Sequence, residues 1–515
     1  MDKQQEECDV LVIGGGINGV GIANDAAGRG LKVLLCEQND LASATSSASS
    51  KLIHGGLRYL EHCEFALVRS ALQEREILLQ NAPHIISPLR FILPHQSHLR
   101  PAWLIRLGLF LYDHLSKRKN FNGSRYIKFD QDSPLANEIT AGFEYSDAWV
   151  DDARLVVLNA MAARQKGAQI FTQTRCIEAR RITDKNGWQV KLQSNSKTNL
   201  VTTVKCKTIV NAAGPWVESL FTGVFPLNAP SHIRLVKGSH IVVPKIHDDP
   251  QAYILQNADK RIVFVIPYLK NYSLIGTTDI DFQGDPANVS IESAESEYLV
   301  NVCNTYFKHK IHVSDIVHSY SGVRPLVDGQ NKHAQSASRG YSLFLQNIGS
   351  QNIGSQNIDQ DHQNVAPLLS VYGGKITTYR KLAQKAVDKL KPYLSAAVAA
   401  SQTLHENLPG GDFSCKQQLT AELNRRYDWL PKPLIERFVS SYGTLSFKIL
   451  NGKLSISDLG LQFSDYFYQA EVDYLIAHEW AKTLDDILWR RTKLGLQITH
   501  IEKQKLADYI RSKDI

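Results

Sequence analysis

Two hydrophobic patterns alternate along this chain. Short, largely apolar runs, as buried parallel strands require, occur at Val10 to Ile13, at Lys32 to Cys36, from Thr208 onward and at Leu368 to Tyr372. Between them apolar residues recur at helical spacing, which predicts helices from about Ile17 to Arg29, from Phe65 to Gln80, from Asp151 to Lys166 and from Ile376 to Leu390, where Pro392 marks the end. Gln169 to Thr174 reads as a further strand, and Trp188 to Leu192 with Thr202 to Cys206 as a hairpin-like pair. A β-rich region follows, with strands at Ile241 to Val243, Arg261 to Pro267 and Ser273 to Gly276 separated by polar turns, which is the pattern of an antiparallel domain. From about Ser401 the chain turns helical and charged, and Thr483-Leu-Asp-Asp486 supplies a capping box.

The expected fold is therefore α/β in its core and α+β overall. The strand beginning at Thr208 rejoins the first sheet, so the first domain is discontinuous: 1–80, 150–225 and 310–395 form it, 81–149 and 226–309 the antiparallel β-rich domain, and 396–515 a C-terminal all-helical domain. At 515 residues two or three domains are the ordinary outcome. Leu99 to Lys119 is the most apolar stretch after the first strand. Trp103, Leu104, Leu107, Phe110 and Leu111 share a helical face, and Lys117, Arg118 and Lys119 follow. An ordinary buried helix is the commoner reading of such a segment; an amphipathic helix lying in a membrane interface is the other. A tandem repeat, Gln-Asn-Ile-Gly-Ser at 346–350 and 351–355 with a third Gln-Asn-Ile at 356–358, is polar and glycine-punctuated, and reads as a surface loop.

A hydrophobic share of 43% with 21% charged residues is that of an ordinary globular chain. The net charge of +7 suits an anionic substrate or an anionic membrane surface, and without a basic stripe interleaved with aromatics no nucleic-acid partner is expected. Seven scattered cysteines without a C-x-x-C pair imply neither a disulfide framework nor a zinc site, and favour a reducing compartment. Met1 to Glu7 is polar and acidic and leaves no room for a signal peptide, and no apolar run has the length of a membrane span. A cytosolic protein, or one attached to a membrane from the cytosolic side, is expected.

The first strand runs into Gly14-Gly-Gly-Ile-Asn-Gly-Val-Gly, so that Gly14, Gly16 and Gly19 stand as G-x-G-x-x-G where strand turns into helix, and the next strand ends in Glu37. In that context the glycines serve a tight turn, a close approach to a pyrophosphate and close helix packing, while Glu37 accepts from a ribose hydroxyl. Helix amides and dipole complete a dinucleotide site. Three more segments converge in the same sheet: the small hydroxyl-rich loop Ser43 to Lys51, the strand end Asn211 to Gly214, and a second strand-turn-helix unit at Tyr372 to Thr378. A buried flavin needs that much chain and a nicotinamide cofactor seldom does, so FAD is favoured over NAD. His54, Arg58, Tyr59, His240, Arg324 and Lys375 stand at glycine-flanked or strand-end positions nearby, and three of them are cations suited to a phosphate monoester. No metal-ligand, paired-carboxylate or Ser-His-Asp pattern stands out.

Seven ordered motifs resemble the FAD-dependent glycerol-3-phosphate dehydrogenase family of the respiratory chain. They are the glycine turn at 14–21, Thr45 to Glu61 with its Ser-Lys-Leu-Ile-His-Gly-Gly-Leu-Arg-Tyr core, Phe143-Glu-Tyr-Ser-Asp147, Lys237-Gly-Ser-His240, Gly276-Thr-Thr-Asp279, Tyr320-Ser-Gly-Val-Arg-Pro325 and Gly373-Gly-Lys-Ile-Thr-Thr-Tyr-Arg380. The likeness covers nearly the whole chain; the 346–358 repeat has no counterpart in the pattern, and Ala213 stands where the family often has Thr. It implies a glutathione-reductase-type FAD domain with non-covalent FAD, a substrate domain, and oxidation of sn-glycerol 3-phosphate to dihydroxyacetone phosphate with electrons passed to membrane quinone. It also implies monotopic attachment to the cytoplasmic face of the inner membrane, as a homodimer. Residue by residue it implies Gly14, Gly16, Gly19, Glu37, Thr45, Ser46, Ser47, Gly55, Gly56, Ala213, Gly214, Gly374, Lys375 and Thr377 around the cofactor, His54, Arg58, Tyr59, Arg324 and Lys375 around the substrate, and His240, Arg324 and Lys375 in catalysis. His240 is expected as the base because its reference pKa suits proton transfer near neutrality, with Arg324 as the rival. Two other functions compete: a glycerol-3-phosphate oxidase passing electrons to oxygen, and a flavin-dependent tRNA-modifying or regulatory binding protein.

Overall fold

The computed structural model describes residues 5–96, 100–182, 187–195, 199–259, 261–327, 340–347, 365–394 and 397–513. Leu99 and the repeat from residue 348 onward lie outside the described residues.

The apolar strand Gln5–Ile13 runs parallel to Val33–Cys36 on one side and to Val201–Asn211 on the other. Gln169–Phe171 and Leu368–Gly373 extend the parallel sheet, and Tyr341–Gln346 closes one edge antiparallel. All four residues of Val33–Cys36 are buried, which explains their unbroken apolar run: a parallel strand needs cover on both faces. The helices Ile17–Gly28, Asp152–Gln165 and Tyr379–Leu390 supply that cover on one face, packed around Val20, Val156 and Leu382. Thr174–Ile182, Gly187–Ser194 and the start of Val201–Asn211 form the antiparallel excursion on the other face. The pattern located two of its strands and missed Thr174–Ile182, reaching only its first residue with the strand read at Gln169 to Thr174. Arg175, Glu178, Arg180 and Arg181 break the apolar signal there, and the pairing shifts register between Cys176 and Glu178.

The second sheet has ten strands and is built on Ile233–Pro244, which pairs antiparallel with Tyr272–Gly276 and with His318–Val327. Its pairs are antiparallel except where Ala252 and Tyr253 run parallel to Phe91 and Ile92. Two of its strands come from stretches assigned by sequence to the first domain: Leu52–Ile53, paired with Trp149 and Ala148, and His318–Val327. The chain therefore crosses between the sheets just after the hydroxyl-rich loop and again at 318–327, and that seam carries His54 and Arg324.

The C-terminal region has its own core around Leu434, Phe438, Tyr442 and Leu475. Gln462–Ser464 and Phe467–Tyr468 form a small hairpin among its helices, so it is helical but not entirely so. The capping box forms as expected: Thr483 donates its amide to Asp486 Oδ2 at 2.9 Å, and Asp486 donates its own to Thr483 Oγ1 at 3.2 Å. The turn after it, Asp486–Arg491, is a π-helix, a form that concentrates at functional sites.

Candidate active site

The turn between Ile13 and Ile17 requires its glycines. Gly14 sits at φ +113°, and a Cβ there would lie 2.5 Å from the Ala212 carbonyl oxygen; one on Gly19 would lie 1.9 Å from the Gly14 carbonyl oxygen. Strand, helix and the neighbouring strand end are thus in backbone contact, and the cavity opens above them. Its volume is about 1170 Å³. Gly14, Gly16, Glu37 and Thr45 to Ser47 line it from one side, and Ala213, Gly214, Gly374 and Thr377 from the other. Gly19 is absent from the lining, so its part is packing rather than contact.

Glu37 accepts from the Gly15 amide through Oε2 at 2.7 Å and from the Asn39 amide through Oε1 at 2.9 Å, and burial raises its pKa. Each oxygen keeps a lone pair for a ribose hydroxyl. Ser46 Oγ accepts from the Ile17 amide at 3.0 Å, and Thr45 Oγ1 donates to the Val323 carbonyl at 2.6 Å, so the small-residue loop bridges the two sheets. A Cβ on Gly16 would stand 3.1 Å from Ser46 Oγ, on the floor where a pyrophosphate has to pass. A bare backbone floor, a helix start and an acid with acceptor capacity to spare in one continuous cavity fit FAD. Gly55 does not belong with them. Its amide is spent on Tyr112 Oη at 2.9 Å and Asp147 Oδ1 at 3.1 Å, beneath the cavity wall, where a Cβ would meet Leu72 and Tyr112 at 2.5 Å.

The seam contributes His54, Arg58, Tyr59, Arg324 and Lys375 to the lining of the same cavity. The His54 amide donates to Thr377 Oγ1 at 3.3 Å. Gly56, at φ +76°, turns the chain into the 3₁₀ segment Leu57–His62 that presents Arg58 and Tyr59. Lys375 Nζ lies 3.8 Å from the centre of the Tyr59 ring, a cation–π contact. Arg324 Nη1 donates to Asp279 Oδ1 at 3.0 Å.

His240 departs from expectation. It is 1% exposed and does not line the cavity; Ser50 and Tyr320 stand in front of it. Its Nε2 is 2.9 Å from Ser50 Oγ, and its ring stacks on Tyr320 at 4.9 Å with 17° between planes. Burial, then the cations Arg324 and Lys51, lower its pKa to about 3, against a weaker opposing effect of Asp279. A base touching substrate with a near-neutral pKa is therefore not what the fold provides at this position.

The lining also includes residues that the sequence did not single out: Ser50, Asp279, Tyr320, Trp489, Arg490 and Lys493. Ser50, Asp279 and Tyr320 lay inside segments already marked, at the end of the hydroxyl-rich loop, at the close of Gly-Thr-Thr-Asp and at the head of Tyr-Ser-Gly-Val-Arg-Pro. The last three come from the C-terminal region, more than a hundred residues from any cofactor segment, and nothing local in the sequence points to them.

Residues 9–347 match the family described as FAD dependent oxidoreductase, and residues 401–510 match the C-terminal domain of alpha-glycerophosphate oxidase. The aerobic glycerol-3-phosphate dehydrogenase of Escherichia coli is 50% identical over 506 residues, covering 98% of this chain and 97% of that protein. D-erythritol 1-phosphate dehydrogenase of Brucella abortus is 46% identical over 517 residues, covering 99% of each. Among solved structures, glycerol-3-phosphate dehydrogenase from Bacillus halodurans complexed with FAD is similar at a TM-score of 0.71 and 25% identity, covering 99% of this chain and 95% of that one.

Proposed function

We propose, from the premise that this chain belongs to the FAD-dependent glycerol-3-phosphate dehydrogenases, that it oxidises sn-glycerol 3-phosphate to dihydroxyacetone phosphate and passes the electrons to a membrane quinone. The observation that carries the reading is the continuity of one cavity from the dinucleotide cradle to the cations Arg58, Arg324 and Lys375. A phosphate monoester near neutrality carries close to two negative charges, and paired guanidinium and ammonium groups match it.

FAD, when bound, supplies the two-electron acceptor. The chain's own residues supply the rest. Arg58 and Lys375 hold the phosphate, and Lys375 is among the residues that would hold the cofactor. Arg324, fixed by Asp279, orients the C2 oxygen. The C2 hydroxyl proton leaves to Ser50 Oγ as Ser50 passes its own proton to His240 Nε2, so the histidine serves as acceptor through the serine rather than by contact. The substrate's phosphate dianion brings negative charge into the same cavity and moves the ring's pKa back upward.

The helix Ala102–His114 supports the membrane part of the reading. Trp103, Leu104, Leu107 and Phe110 are 38–68% exposed on it, Lys117 and Lys119 are exposed beside it, and Leu104 and Leu107 also line the cavity mouth. Among the described residues no helix is long and apolar enough to cross a membrane, so this helix would lie in the cytoplasmic-side interface. A homodimer is part of the same proposal. The test is an anaerobic titration. Glycerol 3-phosphate should bleach the flavin fully, and erythritol 1-phosphate less readily; the reverse order would reassign the substrate. Hydrogen peroxide formed in step with substrate, rather than reduced quinone, would replace the acceptor by oxygen.

A further inference from the structure

The loop 38–51 runs along the cavity: Leu41 and Ala42 sit in the core, the residues from Ser43 to Ser50 are all small and cannot hold themselves by packing, and both ends of the loop are fastened by buried ion pairs. At one end Asp40, 2% exposed, accepts from both terminal nitrogens of Arg491 at 2.8 Å and from Arg490 Nε at 2.7 Å. Arg491 is fully buried and gives its remaining donors to the Glu479 carbonyl. At the other end Lys51 Nζ donates to both oxygens of Asp152, at 2.8 and 3.0 Å, and Ser49 Oγ donates to the same carboxylate at 2.7 Å. The neighbouring Asp151 pairs with Lys493 Nζ at 3.0 Å. Both fastenings thus lead to one short stretch of the C-terminal region, the π-helical turn 486–491 and Lys493 just past it. Within that stretch Trp489 stacks on His318 at 4.1 Å and 11°, and Trp489, Arg490 and Lys493 form cavity wall.

We propose that the segment 486–493 is a cofactor-retention element: through Arg490 and Arg491 on Asp40 it keeps loop 38–51 in the shape that binds FAD, and through Trp489 and Arg490 it closes the cavity over the cofactor. The inference rests on the FAD reading above and extends it to a region that carries no cofactor motif. A fork on a buried carboxylate is a strong, orienting contact, and a loop of Ala, Ser and Thr left without it regains the conformational freedom that binding must then remove. Arg490 and Arg491 are positioning residues on this view.

The test measures FAD dissociation from the holoenzyme by flavin fluorescence for Asp40→Asn and Arg490→Gln, with apoprotein unfolding temperatures in parallel. The expected result is an FAD dissociation constant raised about tenfold or more, the loss that one charge-assisted hydrogen bond produces, with secondary structure intact. Arg490→Lys should recover part of it. Lys270→Ala, which removes only the exposed pair with Glu436, should retain the wild-type value. A wild-type dissociation constant in folded Arg490→Gln and Asp40→Asn overturns the proposal, as does a lowered unfolding temperature without weaker FAD binding. If Asp40→Asn does not fold, Arg490→Gln decides, since Arg490 is 17% exposed at its side chain. Wild-type protein that takes up no FAD would instead overturn the reading beneath it.

Discussion

Arg58 and His240 carry opposite lessons about single residues. Arg58 lines the cavity on a turn that Gly56 sets, and its guanidinium is available to a dianion. Arg58→Ala should raise KM on the order of a hundredfold, the value of one charge-assisted fork, while FAD content stays at one per chain. Normal substrate affinity in that variant would remove the phosphate assignment. His240 is governed by burial. Its folded pKa of about 3 lies below the unfolded 6.5, so the ring is neutral, and able to accept a proton, throughout the working range. The acid limb of kcat/KM should then show no ionisation of this residue between pH 5 and 8, and only the second phosphate ionisation of the substrate, near 6, should appear. A protein ionisation near 6.5 that vanishes in His240→Gln would contradict the assignment. Stability follows the same sign. Below pH 6.5 the unfolded chain takes up a proton that folded His240 refuses, so stability falls from there toward pH 3. Compared with His240→Gln, the wild type should lose about 1.5 kcal/mol more stability in urea unfolding between pH 6.5 and pH 5.

Among the elements, the helix Ala102–His114 shows what hydrophobic spacing fixes and what it leaves open. The spacing located the helix, but a buried and an exposed apolar face share the same pattern, and only the fold reveals that Leu109 and Tyr112 point inward while Trp103 at 68% and Phe110 at 56% face outward. Replacing Trp103 and Phe110 together by Glu should reduce partitioning onto anionic vesicles by at least about tenfold, since each apolar side chain contributes about 1.5–3 kcal/mol when withdrawn from water. Circular dichroism unchanged from wild type makes the comparison valid, and unchanged vesicle binding would dismiss the helix as the contact. The same limit explains which parts of the fold and the site were legible. The glycine turn, Glu37 and the second turn at Gly374 could be read because backbone geometry dictates residue type there. Gly55 looked the same in sequence and proved to be a packing glycine, because the Asp147 and Tyr112 that claim its amide arrive from distant strands. The strand His318–Val327, in the stretch 310–395 assigned by sequence to the first domain, pairs in the second sheet for the same reason: its partner, Ile233–Pro244, lies about eighty residues away, and no local pattern names a partner.

At the scale of the whole molecule, the C-terminal region does not hang from the chain as a separate body. The helix Asp152–Gln165, which covers the first sheet, enters it through Arg154. That side chain is wholly buried, pairs with Glu479, donates through Nε to the Ser441 carbonyl at 3.2 Å and lies 4.9 Å from the centre of the Tyr442 ring. Arg164, near the other end of the same helix, donates to the His478 carbonyl at 2.7 Å and stacks against Trp480. The Glu479 carbonyl in turn accepts from Arg491, the residue that holds Asp40 at the start of loop 38–51. Cofactor loop, covering helix and C-terminal region therefore share a single buried network, and they should unfold together. Arg154→Met leaves the buried Glu479 carboxylate with Arg491 Nε, 3.9 Å away, as its remaining cation, a defect that costs up to about 3–5 kcal/mol. Calorimetry should show the single transition of the holoenzyme moved down and divided, with the C-terminal region melting first and releasing FAD as it does. Arg154→Met with Glu479→Leu removes both charges, so most of the loss should return, because the penalty belongs to the unpaired charge rather than to the missing pair. If Arg154→Met alone melts in one transition at the wild-type temperature, the two regions are not coupled through this contact.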